Sequence, residues 1–333
     1  MDALSSLRYH RAMRAARRER YGTPAVIRIE DVAVPTPADD EILVRVHAAT
    51  VNRTDCALLS AQPFIMRFMT GLRRPKTQSL GTDFAGRVEA IGARVGRFAV
   101  GDDVWGINDL GTGSHAEYLV ISADDSVARM PAGLSFEEAA ACIEGAWYAH
   151  SILERAAFEN GRRVLINGAT GAIGSALLQL CVYRGATVTA VGNARNLELL
   201  KSLGADQVIN YEEADFTREG QVYDYVFDAV GKSTFGASKR VLTPRGVYVS
   251  SEPGPGWQNP FLALLTPALG GKRVVFPVPT DRKAFLEVMG RLITERRFRP
   301  VIDRTVTLDE IQEAYAYVAS GQKTGNVVLK LFG

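Results

Sequence analysis

One short stretch near the middle of the chain, Ile166-Asn-Gly-Ala-Thr-Gly-Ala-Ile-Gly174, restricts the fold more than any other. It closes the apolar run Arg163–Asn167 and opens a helical pattern that starts at Ala172. At such a junction Gly171 lets the backbone approach a pyrophosphate, and Gly174 lets the helix pack closely on the strand. The free N–H groups and the dipole at the helix start attract an anion. Ala169 replaces the first glycine of the usual G-x-G-x-x-G, so the pattern alone is weak and its context carries the weight. That context is a series of apolar runs, Thr187–Val191, Gln207–Asn210, Asp224–Val230, Gly246–Ser250 and Arg273–Val278, with helical segments between several of them. Continuous apolar strands are expected where helices cover both faces of a parallel sheet. The sequence therefore predicts a doubly wound α/β unit holding a dinucleotide at Ala169, Thr170, Gly171, Ala172, Ile173 and Gly174.

The choice of dinucleotide is written after the second strand. An NAD site usually carries an acid about 20 residues past the glycine loop, to hold the ribose hydroxyls. Here the chain reads Val191-Gly-Asn-Ala-Arg-Asn196. It offers no carboxylate in that stretch to repel a 2′-phosphate, and Arg195 to pair with one. Asn193 and Arg195 thus favour NADP(H), although Arg195 also suits a solvated helix start.

The first half reads differently. Ala25–Ile29 and Glu41–Ala48 alternate apolar and polar residues, with a turn at Pro35, Pro37, Asp39 and Asp40 between them, and Ser114–Ile121 is another strand. Glycines recur at positions 81, 86, 92, 96, 101, 106, 111 and 113, as a tightly turning barrel with positive-φ corners would require. Ser135-Phe-Glu-Glu138 is a capping box, and an alanine-rich helix is expected from it to about Ala156. The tail carries helices at Lys283–Glu295 and Leu308–Ser320, the second capped by Thr307, and a last strand at Asn326–Phe332.

With 333 residues, two domains are expected. A net charge of +2 gives no global reason to expect nucleic acid or membrane as a partner. No apolar run reaches the length of a membrane span. Cys56, Cys142 and Cys181 form neither a disulfide framework nor a metal knuckle, which suits a reducing cytoplasm. Arg8, Arg11, Arg14, Arg17, Arg18 and Arg20 read as a ragged basic extension before the first strand. The loop Met66–Lys76, with Arg67, Arg73, Arg74 and Lys76, reads either as a solvated charge cluster or as a collector of an anionic substrate.

Several separated stretches now line up in order: Val51-Asn-Arg-Thr-Asp55, Leu80-Gly-Thr-Asp-Phe-Ala-Gly86 with Arg87–Gly92, Gly101-Asp-Asp-Val104, Gly113-Ser-His-Ala-Glu-Tyr118, the glycine loop, Leu203–Tyr211, Phe227-Asp-Ala-Val-Gly231 and Gly325-Asn-Val-Val328. On these the chain resembles the quinone oxidoreductase-like branch of the medium-chain dehydrogenase/reductase superfamily. The resemblance implies a GroES-like β-barrel catalytic domain (1–140 and 281–333) with a Rossmann domain (141–280) inserted into it. It implies that Tyr211 stands near the 2′-phosphate of NADP(H), and that Val230, Ser250, Ser251 and Phe276 cradle the nicotinamide. It places Asn52 beside the nicotinamide ribose, Thr54 at the hydroxyl that relays protons in zinc relatives, and Arg53 within reach of the pyrophosphate. Asn52 and Thr54 are thus the candidate catalytic residues, against the plainer reading of polar side chains serving a turn. Asp55 is expected to hold the loop by an ion pair.

Zinc relatives carry a cysteine where Asn52 stands, and Gly-His-Glu where this chain has Gly81-Thr82-Asp83. Cys142 lies near the place of a third ligand but is unaccompanied, so no metal is expected. Hydride transfer to an already activated small electrophile, a quinone or an α,β-unsaturated carbonyl, is the chemistry that remains easy. Glu144 could face the nicotinamide but reads more readily as a solvated helix residue, Tyr148 could donate a proton but reads more readily as packing with Trp147, and His47, His115 and His150 read as structural. A homodimer is expected through the terminal strand 273–278, centred on Val274–Phe276 because Pro277 donates no hydrogen bond. Two rivals stand beside this reading. A short-chain dehydrogenase would place its loop near the N-terminus and use a Tyr-x-x-x-Lys pair that is missing here. An idle NADPH-binding or structural protein would keep the same fold.

Overall fold

The structure is a computed structural model that describes residues 11–108, 113–279 and 281–332. The chain divides into two compact units, one made of residues 1–143, 302–323 and 327–333, the other of residues 144–301 and 324–326.

The first unit runs β1 (Ala12–Arg17), β2 (Arg28–Ala33), β3 (Glu41–Val51), α1 (Arg53–Ser60), α2 (Met66–Thr70), β4 (Asp83–Ile91), β5 (Asp103–Ile107), β6 (Tyr118–Ser122), β7 (Val127–Arg129) and α3 (Phe136–Ala141). β1 and β2 form an antiparallel ribbon. The basic N-terminal segment is therefore a strand from residue 12, not a ragged extension: Met13, Ala15 and Ala16 are buried, and even Arg18 is enclosed, donating to the Leu58 carbonyl. Arg8 lies outside the described residues. The strand expected at Ala25–Ile29 is displaced, because Pro24–Val26 takes a 3₁₀ turn and pairing begins at Arg28. The glycine-rich stretch differs too. Only Gly81 and Gly101 of the described glycines there have positive φ, whereas a Cβ at Gly86, Gly92 or Gly106 would meet backbone oxygens at 2.2, 2.0 and 2.4 Å. Close backbone approach, more than corner geometry, requires those glycines. Gly111 is outside the described residues.

The alanine-rich helix expected to Ala156 is broken at Cys142-Ile143, where the chain passes into the second unit. That unit holds α4 (Glu144–Arg155), β8 (Arg163–Asn167), α5 (Ala172–Tyr183), β9 (Thr187–Gly192), α6 (Leu197–Ser202), β10 (Gln207–Asn210), β11 (Tyr223–Asp228), α7 (Phe235–Ser238), β12 (Leu242–Ser250), α8 (Gln258–Leu269), β13 (Arg273–Val275) and α9 (Arg282–Thr294). Its sheet is parallel, ordered β10-β9-β8-β11-β12-β13. The order reverses between β8 and β11, which is where open α/β sheets bind ligands, outside the carboxyl ends of the strands. The edge strand β13 stops at Val275, so Phe276 and Pro277 lie beyond the ladder expected to reach Val278. The expected boundary at 281 also moves. α9 packs on α4, Phe285 meets the His150 ring, and this helix belongs to the nucleotide unit.

The chain then returns to the first unit with β14 (Ile302–Thr307), α10 (Ile311–Ser320) and β15 (Asn326–Lys330). β15 pairs with one end of β3, and β6 with the other end on residues 41–45, while β4 takes the opposite edge. The returning residues Leu308, Ile311, Tyr315, Val318, Val327 and Leu329 share one apolar cluster with Ala16, Ile27, Val51, Leu59 and Leu80. This unit is closed by the packing of residues 308–329 on residues 16–80. No helix of the described residues is long and apolar enough to cross a membrane.

Candidate active-site residues

In the second unit, the glycine loop sits between β8 and α5. A Cβ on Gly174 would lie 2.1 Å from the Gly168 carbonyl oxygen and 2.8 Å from Ala169 Cα, so strand and helix can approach this closely only through glycine. α1 and α3 begin with side chains that satisfy the first-turn N–H groups, but α5 begins at Gly171 with no capping side chain. A 12-residue helix whose first-turn N–H groups are left to a ligand fits a dinucleotide pyrophosphate. Thr324–Asn326 clasps this loop. Gly325 N–H donates to the Thr170 carbonyl at 2.7 Å, and Thr324 Oγ1 accepts from Asn196 at 2.9 Å.

The residues expected around the 2′ position gather at the carboxyl ends of β9 and β10. Asn193 is half-buried and its carboxamide oxygen accepts from Asn196, Arg195 is exposed, and Tyr211 is brought alongside by its N–H bond to the Gly192 carbonyl at 3.0 Å. The fold adds a group the reading of residues 191–196 overlooked. Glu212 Oε2 accepts from the Ala194 N–H at 3.4 Å, so a carboxylate does stand beside this stretch. β10 carries it there by pairing with β9.

At the other side of the switch point, Asn167, Asp228 and Ser250 are register partners at the ends of β8, β11 and β12. Asp228 is buried and was not singled out by its own chemistry. Its two oxygens accept from Asn167 Nδ2, the N–H groups of Val230, Gly231 and Ser233, and the Tyr248 hydroxyl, at 2.9–3.4 Å. Burial, and then the Asp228 charge, push the Tyr248 phenol well above its usual range, so it stays protonated and donates. This carboxylate fixes the turn that carries Val230, and Ser250 Oγ accepts from the Glu252 N–H at 3.2 Å. Ser251 follows directly, and Phe276 follows β13.

Glu144, read as solvated, is buried in the first turn of α4. Tyr148 packs edge-on to Trp147 at 5.3 Å, as expected.

In the first unit, Asn52, Arg53 and Thr54 open α1. Asn52 is 2% exposed and is the helix N-cap. Its carboxamide oxygen accepts from Asp55 N–H at 2.9 Å, and its Nδ2 donates to Thr82 Oγ1 at 2.8 Å. Asp83 accepts from Thr50 N–H at 2.7 Å and Thr50 Oγ1 at 2.6 Å. The positions that resemble zinc-ligand sites, Asn52 and Thr82-Asp83, are thus bonded within one buried net. Arg53 is exposed and Thr54 half-buried. Asp55 holds the loop by accepting from Asn52 N–H at 3.0 Å, a capping bond. Its carboxylate also lies 3.8 Å from the His115 ring, which burial keeps neutral.

His115 is fully enclosed. One ring nitrogen lies 2.9 Å from the Thr50 carbonyl and the other 3.2 Å from the Tyr315 hydroxyl. Burial lowers its pKa to about 4, against the smaller opposing effect of the Thr50 bond. The unfolded chain binds a proton near pH 6.5 and the folded chain not until about pH 4, so stability is complete above that window and falls as pH drops through it. The loss should reach on the order of 3 kcal/mol. The His115 ring resonances should show no titration between pH 8 and about 5; a midpoint near the ordinary histidine value of about 6.5 would refute the buried neutral state. His47 stacks on Phe136 at 4.3 Å and is also held low by burial, as is His150. Cys142 and Cys181 are buried with thiol pKa values pushed up, so both remain thiols.

A parallel sheet of this order, with an uncapped glycine-loop helix at its centre, defines a nucleotide-binding oxidoreductase fold joined to an antiparallel β unit. A family model described as "Alcohol dehydrogenase GroES-like domain" matches residues 38–132, and one described as "Zinc-binding dehydrogenase" matches residues 203–329. The chain is 32% identical over 322 residues to a chloroplastic quinone-oxidoreductase homolog of Spinacia oleracea, covering 93% of this chain and 95% of that one. It is 31% identical to 2-methylene-furan-3-one reductase of Solanum lycopersicum, covering 93% and 76%. The solved quinone oxidoreductase of Coxiella burnetii superposes with a TM-score of 0.85 at 28% identity, over 97% of this chain and 100% of that one. The chain belongs to the quinone oxidoreductase-like branch of the medium-chain dehydrogenase/reductase superfamily.

Proposed function

We propose that the chain is an NADPH-dependent, zinc-independent enzyme that delivers hydride to a quinone or an α,β-unsaturated carbonyl in the cytoplasm. The observation that carries the reading is the uncapped start of α5 beside Asn193, Arg195 and Tyr211, an anion cradle with a cation and a phenol next to it. Bound NADPH supplies the hydride. Gly171–Gly174 would hold its pyrophosphate, Arg195 and Tyr211 its 2′-phosphate, and the Val230, Ser250–Ser251 and Phe276 turns its nicotinamide. Relatives named for quinone and enone-type reduction support this substrate class over the idle alternative.

Purified protein should oxidise NADPH with a panel of quinones and enones, and a chelator should leave the rate unchanged. No turnover with any acceptor, or rates lost to the chelator, would count against the reading. In titration, NADPH should bind at least about tenfold tighter than NADH, a difference of about 1.4 kcal/mol. Arg195→Ala should erode that ratio, and Glu212→Gln should widen it by removing a negative charge from the neighbourhood of the phosphate. Equal affinities in the wild type would remove the case for NADPH.

A homodimer through β13 belongs to the same proposal. β13 is the terminal strand of its sheet, and α8 beside it leaves Phe261, Leu264, Leu265 and Leu269 exposed. Light scattering should report a dimer, and Val275→Pro should give monomers or aggregates. A wild-type monomer at micromolar concentration would end that part of the reading.

A further inference from the structure

The segment around α2 combines two properties that soluble surfaces usually keep apart. Phe64, Ile65, Phe68, Met69 and Leu72 are between 52% and 68% exposed. Arg67, Arg73, Arg74 and Lys76 lie among and just after them, and from Cys56 to Thr82 the chain carries no Asp or Glu. The net charge of +2 conceals this, because the acids lie elsewhere in the sequence.

The segment is fixed in place. The Tyr21 hydroxyl donates to the Gly71 carbonyl at 2.8 Å, and the Arg67 guanidinium lies over the Tyr21 ring at 5.0 Å and the Phe64 ring at 5.6 Å. Gly71 N–H bonds back to the Arg67 carbonyl and Lys76 N–H to the Thr70 carbonyl. A loose loop would be free to turn its apolar side chains inward. This one is tied so that they point to water, an exposure that is unfavourable for each large apolar side chain.

We propose that residues 63–76 form a docking surface for an anionic lipid bilayer. Charge complementarity selects the occupant. Cations without intervening acids match an anionic headgroup layer, and long Arg and Lys side chains reach it while their stems follow the apolar side chains into the acyl boundary. Phe64 and Phe68 could stack on bases, but Ile65, Met69 and Leu72, exposed beside them, offer nothing to a phosphate or a base and fit an acyl boundary, which favours a bilayer over nucleic acid. The apolar and basic contributions are each small, so binding is peripheral, reversible and dependent on both.

The test uses the full chain in a vesicle flotation assay and reads binding, so it stands apart from the proposed catalysis. The protein should float with vesicles of phosphatidylcholine mixed with phosphatidylglycerol, should float poorly with phosphatidylcholine alone, and should be stripped by high salt. Arg73→Glu with Arg74→Glu should weaken partitioning about 25-fold or more, at roughly fivefold for each basic residue near such a surface. Phe68→Ser with Leu72→Ser should weaken it at least about tenfold. Both pairs are exposed, so their circular dichroism and melting should match the wild type. Failure of the wild type to float with anionic vesicles overturns the proposal, as does equal recovery on neutral vesicles or undiminished recovery of both variants. A serine variant that instead drops to a lower oligomeric state, with no vesicle binding by the wild type, assigns the patch to a second copy of this chain and also overturns it.

Discussion

Gly174→Val will lower NADPH affinity at least about a hundredfold, equivalent to about 2.7 kcal/mol. The new Cβ would sit 2.1 Å from the Gly168 carbonyl oxygen and 2.8 Å from Ala169 Cα. Both are backbone atoms, so no side-chain rotation relieves the contact. α5 must back away from β8, and its first-turn N–H groups move with it. Overpacking of this kind also costs about 1–3 kcal/mol of stability. Fluorescence titration with NADPH measures the first effect and urea unfolding the second. An affinity equal to wild type would mean that the start of α5 is not the pyrophosphate site.

Asp228→Ala will destabilise the nucleotide unit by about 4 kcal/mol. The carboxylate accepts from five donors, three of them backbone N–H groups of the turn at 230–233, and removing it orphans buried groups that each cost about 1–3 kcal/mol when unpaired. Asp228→Asn keeps the shape but only one of the two acceptor oxygens, and its NH2 would face groups that donate, so it should also destabilise the unit, by less than the alanine variant. The Val230 turn should loosen in both, so NADPH affinity should fall along with the urea midpoint. A midpoint within about 0.5 kcal/mol of wild type for the alanine variant would show the net to be dispensable.

These two residues mark how far the sequence could be read. Gly174 was legible because the requirement is local: a strand and a helix meeting at one residue leave room only for a hydrogen. The capping box at Ser135–Glu138 and the cap at Thr307 were legible for the same reason, since three residues of spacing contain the whole interaction. The doubly wound parallel sheet followed from the alternation of apolar runs, whereas its strand order is set by pairings the runs do not reveal. Asp228 was quoted only as part of a resemblance, because its donors come from three strands whose ends meet only in the folded sheet. Glu212 reached Ala194 by strand pairing, which the residues near the second strand do not reveal. Arg18 and Glu144 carry charges that composition assigns to the surface, and tertiary packing encloses both. Asn52 was a candidate for chemistry by its place in a family pattern, and its carboxamide also serves the cap of α1 and bonds Thr82, contacts the pattern does not reveal. The boundary near 281 moved because the faces of a short amphipathic helix do not say which partner they meet, and α9 met α4.

The split of the first unit has a consequence for how the protein is made. Residues 144–301 are contiguous and complete an entire parallel sheet, so most of the nucleotide unit can settle while later residues are still being synthesised. The first unit cannot do the same. Its shared core holds Ile27 and Leu59 against Tyr315 and Val327, partners separated by more than 250 positions of chain. Until the last segment emerges from the ribosome, the edge of β3 that β15 will cover, and the apolar faces that α10 will bury, stay open to solvent. Even the glycine loop waits for a distant segment, because Gly325 N–H bonds the Thr170 carbonyl. The core around Ile27 and Leu59 can therefore close only after residues 308–329 have been made, later than the sheet that lies between them in the chain.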